Sequence, residues 1–392
     1  MPYTTPTVNY CATLDGTYTS LTGIQSVSIS RGRQRFSDNF TQTSCVIDLI
    51  PAATYAVPLA VGQFIDVRTT NSGSSPAYFV GTITDVQRQY SIPYNTVSGV
   101  APADRITITA TGAIGAIAKN TVNADFIVNT FCTDSIGQLG VTILVRCDPV
   151  GGVSRFPRNS TNILSDFQVL DVINQLLRTG QLFLDDLDNL RTTRVTFYGT
   201  EKSAATTYAQ GQGATTYTFT DTGSGFAFND VQFLSSVQNT FTQVQVTSTG
   251  LVTTQTASSG AAPYNTLVYD TYSESEANAL SLAGYIINKQ ATATAVPYSI
   301  STNTMAAPTC TNLAMLSTTS VYTDPSATMT LGSAVSVTFR GTTATATIQG
   351  INTTFYPDYA TVQLFLSPSL GTPFTLNSTT LGVLDQNRLG FP

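Results

Sequence analysis

The 392-residue sequence contains no histidine and no tryptophan. Without histidine the commonest general base and the usual metal ligand are missing, as is every Ser-His or Cys-His nucleophile, so catalysis would have to rest on carboxylate pairs of the glycosidase kind. The missing tryptophan counts against a carbohydrate-stacking platform, and the tyrosines and phenylalanines scattered through the strands read as fillers of cores and interfaces. Charge is also scarce, at 10 % of residues against roughly 25 % in ordinary soluble domains. With 17 Lys and Arg against 23 Asp and Glu, the balance is acidic and excludes a protein that binds nucleic acid by neutralising phosphates.

Cysteine is sparse too. Cys11, Cys45, Cys132, Cys147 and Cys310 lie far apart, odd in number and without a CxxC pair. That pattern gives neither a disulfide framework nor a zinc site, and buried free thiols are expected. No apolar run of about 18 residues and no basic-then-apolar leader occurs, so no membrane segment is expected and a soluble product made in the cytosol is. The absence of a fixed-period repeat excludes propellers and solenoids.

What the chain has is Thr and Ser, with Gln, Asn, Gly and 18 Tyr, and an apolar fraction of 42 %. Threonine and tyrosine suit a half-buried pleated surface and form helices poorly. The fold class expected is mainly β with minor α, in about two to four packed units. Surfaces so poor in charge repel one another little, and symmetric self-association is expected.

Residues 1–118 read as short antiparallel strands. Val27 and Ile29 alternate with Ser before an Arg31-Gly32-Arg33 turn; Cys45, Ile47 and Leu49 share a face; Phe64 to Val67, Tyr78 to Val86 and Arg105 to Thr109 follow. Residues 119–205 form an α+β accessory unit with a helix near 166–178, opened by a Ser165/Gln168 capping box and carrying a stripe of Val169, Leu170, Ile173, Leu176 and Leu177. Its sheet partner is read at 180–185 with 194–198. Strands return at Phe226 to Phe228 and Thr242 to Thr247, in a second β unit split into 206–250 and 299–366. The inserted segment, 251–298, carries a helix capped by Ser273 with Glu276, and its stripe is read as Ala277, Leu280, Ala283 and Ile287. Residues 367–392 form a C-terminal extension.

Few residues could carry chemistry. Asp185, Asp186 and Asp188 sit in a hairpin loop; a carboxylate pair or a calcium loop is one reading, a solvated turn the favoured one, because the Gly and Glu of an Asp-rich calcium loop are missing. Gly211-Gln212-Gly213 and Gly223-Ser224-Gly225 lack the Gly-Lys-Ser/Thr of a phosphate loop. Arg31, Arg33 and Arg35 form the one basic cluster, either a solvated turn or an interface meeting a partner subunit or DNA phosphate. No catalytic, cofactor-binding or metal-ligating residue is assigned, no cofactor is expected, and the chain is read as no enzyme.

Several segments, in order, resemble the central tail hub, or minor tail and baseplate hub protein, of long-tailed bacteriophages. They are Val27 to Arg33, Cys45 to Ile50, Val61 to Val67, Tyr78 to Ile83, the Ser165 helix running into Gly180-Gln181-Leu182-Phe183 and then Leu190-Arg191, Tyr269-Asp270-Thr271 with the Ser273 helix and Pro297, Gly371 to Leu376, Leu381 to Asp385 and Arg388 to Phe391. The resemblance implies two tube-like antiparallel β-barrels per chain, the second interrupted by an insertion, in a homotrimer that forms a pseudo-sixfold ring. It further implies a virion protein of the distal tail, closing the tube around a DNA channel and meeting tail-tube or distal-tail proteins, fibre or tip proteins and the tape-measure protein. DNA would pass without specific binding, for which a neutral or mildly acidic wall is suited. The alternative is a carbohydrate-binding adhesin or another β-structural tail protein.

Overall fold

The computed structural model describes residues 3–13, 16–51, 58–70, 77–90, 104–112, most of 114–122, 167–180, 182–185, 194–199, 217–234, 240–260, 265–290, 296–314 and 331–368, with a few short breaks, and strand pieces at 130–131, 146–150, 155–156, 377–378 and 382–383. The chain is mostly β with little helix. Its first strands are β1 (Thr7–Cys11), β2 (Thr19–Ser20), β3 (Ile24–Gly32), β4 (Thr41–Leu49), β5 (Phe64–Arg68), β6 (Ala77–Gln89) and β7 (Arg105–Thr111). Helix α1 (Val169–Gly180) follows, then β8 (Tyr217–Thr220), β9 (Asp230–Leu234), β10 (Gln243–Ser248), β11 (Gln255–Ser258) and β12 (Thr266–Thr271). Helix α2 (Glu276–Gln290) leads to β13 (Val296–Asn303), β14 (Ala334–Phe339), β15 (Thr342–Phe355) and β16 (Ala360–Pro368).

One 13-stranded sheet carries strands from both ends of the chain, in the order β9-β13-β16-β15-β3-β4-β7-β6-β5-β1-β2, with β14 and β8 branching from β15. The joint is the antiparallel pairing of β15 with β3, from Gly350 opposite Gly32 to Phe355 opposite Val27. Two glycines meet there for a steric reason: a Cβ on Gly32, whose φ is +82°, would lie 2.4 Å from the Gln349 carbonyl, and one on Gly350 would lie 2.4 Å from the Arg33 carbonyl. Neither position has room for a side chain. Period-2 alternation turns Val27 and Ile29 of β3, Cys45, Ile47 and Leu49 of β4, and Ile351 and Phe355 of β15 into one shared apolar interior, which Ile348 joins across the bulge between Ile348 and Gly350.

The back of β5 is buried as well, but by charge. Arg68 Nε lies 2.7 Å from Asp66 Oδ2, with both side chains at zero exposure. Asn9 Nδ2 donates to the other Asp66 oxygen at 2.8 Å, and Ser20 Oγ donates to Asn9 Oδ1 at 2.8 Å. The network ties β1 and β2 to β5 at the end of the sheet.

The expected α1 stripe is in place at Val169, Ile173, Leu176 and Leu177, while Leu170 is half-buried and Val172, not foreseen, is buried with them. Its start differs: the helix opens at Val169, and Phe167–Gln168 pairs as a short strand with Thr121–Val122, so Gln168 closes no capping box. Ser165 lies outside the described residues. The backbone of Leu182–Asp185 pairs antiparallel with Arg194–Gly199 as expected.

Residues 243–248, expected in the second β unit, instead belong to a separate three-stranded sheet, β11-β10-β12. The parallel β10–β12 pair needs a crossover, and α2 covers that sheet, so a second core forms from Phe241, Val244, Val246, Tyr269, Leu282 and Ile286. The cap of α2 is Ser275, whose Oγ accepts the Asn278 N–H at 3.2 Å, rather than Ser273. Its buried stripe runs through Ala279, Leu282, Ala283, Ile286 and Ile287, so Ala283 and Ile287 stand as expected, while Ala277 is exposed and Leu280 is 47 % exposed. Residues Phe226 to Phe228 form an isolated bridge at Phe226 rather than a strand.

Replacing Asp66 with Ala takes the carboxylate from a fully buried guanidinium and should cost about 3–5 kcal/mol in denaturant unfolding. Burial pushes the Cys45 thiol far up and that of Cys310 up to about 12. Native protein should therefore leave Cys11, Cys45 and Cys310, all buried and free, unalkylated by iodoacetamide until denaturant is added, and labelling of Cys45 in native protein would contradict the packing.

Candidate functional site, an uncharged face across the sheet

The alternation that buries one side of each strand puts short polar side chains on the other. Asp230, Ser301, Gln363, Asn352, Ser30, Ser44 and Thr111 stand opposite one another on seven consecutive strands. At about 4.8 Å per strand this row spans roughly 29 Å. A neighbouring row runs Asn303, Thr361, Thr354, Ser28, Val46, Thr109 and Asp85. These two rows hold two aspartates and no cation. The face crosses the β15–β3 joint without a break: Ser30 Oγ donates to Asn352 Oδ1 at 2.7 Å, and Ser28 and Thr354 hydroxyls lie 3.2 Å apart.

Farther along the face, Asp48 is tied down by its neighbours. It accepts from Thr107 at 2.6 Å, Arg105 at 2.9 Å and Ser26 at 3.4 Å. Partial burial acts to raise its pKa, but the Thr107 and Arg105 hydrogen bonds, the Arg105 charge and Ser26 together outweigh it, and the carboxyl is held below its usual value. The face thus shows small hydroxyls and amides, with its one described cation, Arg105, bonded to a carboxylate.

The arginine cluster lies elsewhere, and the structure separates its members. β3 continues through Gly32 because β15 pairs with it, so Arg31 is a strand residue opposite Ile351 and only 4 % exposed. Arg33 donates from Nε to Gln349 Oε1 at 2.8 Å and from Nη1 to the Asp38 carbonyl at 3.2 Å, with its guanidinium 4.4 Å from the Phe40 ring centre and 5.2 Å from that of Phe36. Burial pulls its pKa down, while the Tyr269 hydroxyl and Asp38 act to hold the charge. Arg35 is half-buried, with its N–H bonded to Asp38 Oδ2 at 3.0 Å. Arg31 and Arg33 are therefore packed within the chain, which removes the solvated-turn reading for these two and leaves the interface reading as a proposal.

The loop bearing Arg33 fastens three units together. Phe36 enters the core under α2. Asn174 of α1 accepts the Phe40 N–H at 2.9 Å and donates to its carbonyl at 3.2 Å. Arg178 bonds Asn39 and lies 5.2 Å from the Tyr269 ring centre, and Thr179 Oγ1 accepts the Tyr272 N–H at 2.9 Å. Asn174 was missed in the sequence; the available signal was a lone amide within the apolar stripe of α1. Asp186, Asp188 and Gly211 to Gly213 lie outside the described residues, as does the side chain of Asp185. Among the described residues no three His, Cys, Asp or Glu side chains group as a metal site, and no helix is long and apolar enough to cross a membrane.

No protein-family model and no curated protein matches the chain. Solved structures do. The 43 kDa tail protein of prophage MuSo2 from Shewanella oneidensis aligns over 92 % of this chain and 97 % of its own, with a TM-score of 0.57 and 10 % identity. A tail protein from Neisseria meningitidis MC58 aligns over 93 % and 96 %, with a TM-score of 0.55 and 10 % identity. The chain shares the fold of these two tail proteins along nearly its whole length.

Asp48 has a lowered folded-state pKa, so its contribution to stability is complete above the ordinary aspartate value of 3.8 and is lost as pH falls through the lower folded value. Asp48→Asn should be less stable than the parent at neutral pH, and the difference should shrink to nothing in acid urea melts. A gap that stays constant with pH would contradict the network.

Proposed function

We propose that the chain is a structural protein of a phage tail, the hub that closes the distal tube, with its polar, cation-poor sheet face turned toward a DNA channel. The observation that carries this reading is the polar, cation-poor face running unbroken across two β halves, in a fold shared with tail proteins. Affinity for DNA comes mainly from lysines and arginines that displace counterions from phosphates. A wall of Ser, Thr, Asn and Gln with scattered aspartates offers DNA neither such sites nor apolar adhesion, which suits passage without arrest.

In this reading the halves built on β1 to β7 and on β8, β9 and β13 to β16 are two tube-like barrels. Three copies place six of them in a ring, which adapts a hexameric tube above to a threefold tip below. The unit of β10 to β12 with α2, and the unit around α1, decorate that ring and contact distal-tail, fibre or tip proteins, while the tape-measure protein occupies the lumen before ejection. Of the three clustered arginines, Arg35 is the one left for an interface. The assembled protein resides in the virion after synthesis in the host, and its role is geometric, without chemistry of its own.

Purified protein should show a trimer mass by light scattering, and threefold rings with a central hole by electron microscopy. It should bind short DNA no more tightly than a neutral protein does at low salt. A stable monomer with no affinity for tail-tube or distal-tail protein would overturn the reading.

A further inference from the structure

The large sheet repeats one pattern of strand pairing. In the series β3, β4, β5, β6, β7 the first strand pairs with the second, the second with the fifth, the fifth with the fourth and the fourth with the third, all antiparallel. The series β9, β13, β14, β15, β16 does the same. One irregularity recurs at the same place: β6 slips against β7 between Ile83 and Asp85, and β15 slips against β16 between Ile348 and Gly350. Counting from the slips makes Asp85 equivalent to Gly350, Gln89 to Thr354 and Tyr90 to Phe355. Following the rows from there across each series makes Val231 equivalent to Val27 and Gln232 to Ser28, and β9 then slips against β13 between Gln232 and Phe233.

The equivalence turns the joint inside the chain into a template. There, the fourth strand of one series, at Gly350 to Phe355, pairs with the first strand of the other, at Val27 to Gly32. The matching partners are residues 85–90 in and after β6, and strand β9. Among the described residues β9 ends the sheet, with β13 as its one strand partner. β5 accompanies β6 only as far as Thr82, and Ile83 then bonds the turn at Gly62 and Gln63. Six strands separate β9 from β6 within a chain, so their meeting requires a second copy.

We infer that β9 of one copy pairs antiparallel with residues 85–90 of the next, with Gln89 opposite Gln232 and Tyr90 opposite Val231. The inference rests on the self-assembly proposed above and gives it a register. Side-chain chemistry agrees. Tyr90 is 55 % exposed, whereas its equivalent Phe355, covered by the internal joint, is 1 % exposed and 4.6 Å from the Tyr78 ring. On the receiving side Phe339 lies 6.2 Å from Phe228 and 5.9 Å from Phe233, and all three are half-buried beside the terminal strand. Aromatic groups at the end of a sheet invite pairing with another chain, and the exposed Tyr90 supplies a matching ring. Because the two surfaces differ, the contact is head-to-tail, the kind that closes into a ring.

The test is a disulfide across the predicted register. Side chains directly opposite on antiparallel strands have Cβ atoms about 4.5–5.5 Å apart, close enough to join after a small adjustment. The equivalent internal pair, Ser28 and Thr354, brings its oxygens within 3.2 Å, so a Ser28→Cys, Thr354→Cys variant is the positive control and should oxidise within one chain. Full-length protein carrying Gln89→Cys with Gln232→Cys should form a covalent ladder of dimers and trimers on non-reducing gels, absent from either single variant. If scattering shows multimers and the control oxidises but no ladder forms, this register is overturned while self-assembly stands. If the protein carrying both substitutions and its parent are both monomeric, register and self-assembly fall together.

Discussion

The antiparallel pairing of β3 with β15 is the constraint on which the remaining architecture depends. It joins segments 322 positions apart in the chain, and through it the sheet, the shared apolar interior and the polar face all become continuous. Ladder bonds alone contribute only about 0.5–1.5 kcal/mol each after exchange with water. The joint gains more by burying Ile351 and Phe355 against the interior of the other half. Closing so long a loop costs little more than closing a loop half its length, about 0.6 kcal/mol per doubling. The interior on both sides is what makes the closure favourable.

At that same crossing the chain makes its main tertiary fastening. The close approach that demands Gly32 and Gly350 carries the backbone on to Arg33, which bonds Gln349, and Gln349 in turn donates to Ser367 in the interior at 2.7 Å. From there the loop delivers Phe36 to one unit and the Phe40 backbone to another. Basic residues that stand out in an acidic, charge-poor sequence are thus used as packed spacers: an arginine satisfies several acceptors while its flat guanidinium lies against aromatic rings. The same economy appears at Asp66 and Arg68, where an ion pair sits at zero exposure with its hydrogen bonds filled by Asn9.

Strand content and core faces were legible because they depend on local alternation. Val27 and Ile29, then Cys45, Ile47 and Leu49, then Ile106 and Ile108 all recur with period 2, and each of these is buried. The stripe of α1 was legible for the corresponding helical reason. Strand Gln243–Ser248 was misplaced because its alternation is the same whichever sheet it joins. The stripe of α2 was misread in part because an alanine-rich helix offers several faces of similar hydropathy, and only packing on β10 and β11 selects Ala279 and Leu282. The caps failed where a serine lay nearby in sequence while the chain turned elsewhere, at Ser275 in place of Ser273.

Composition by itself determined that the protein is β-rich, that its surface holds little charge and that histidine chemistry has no place in it. These properties follow from residue types and their periods, which need no knowledge of what lies across space. The polar, cation-poor face, the burial of Arg31 and the role of Asn174 were decided only by tertiary structure. Each requires strands or helices distant in sequence to be set side by side, and a serine in β3 reads the same whether its neighbour is water or an asparagine 322 positions away.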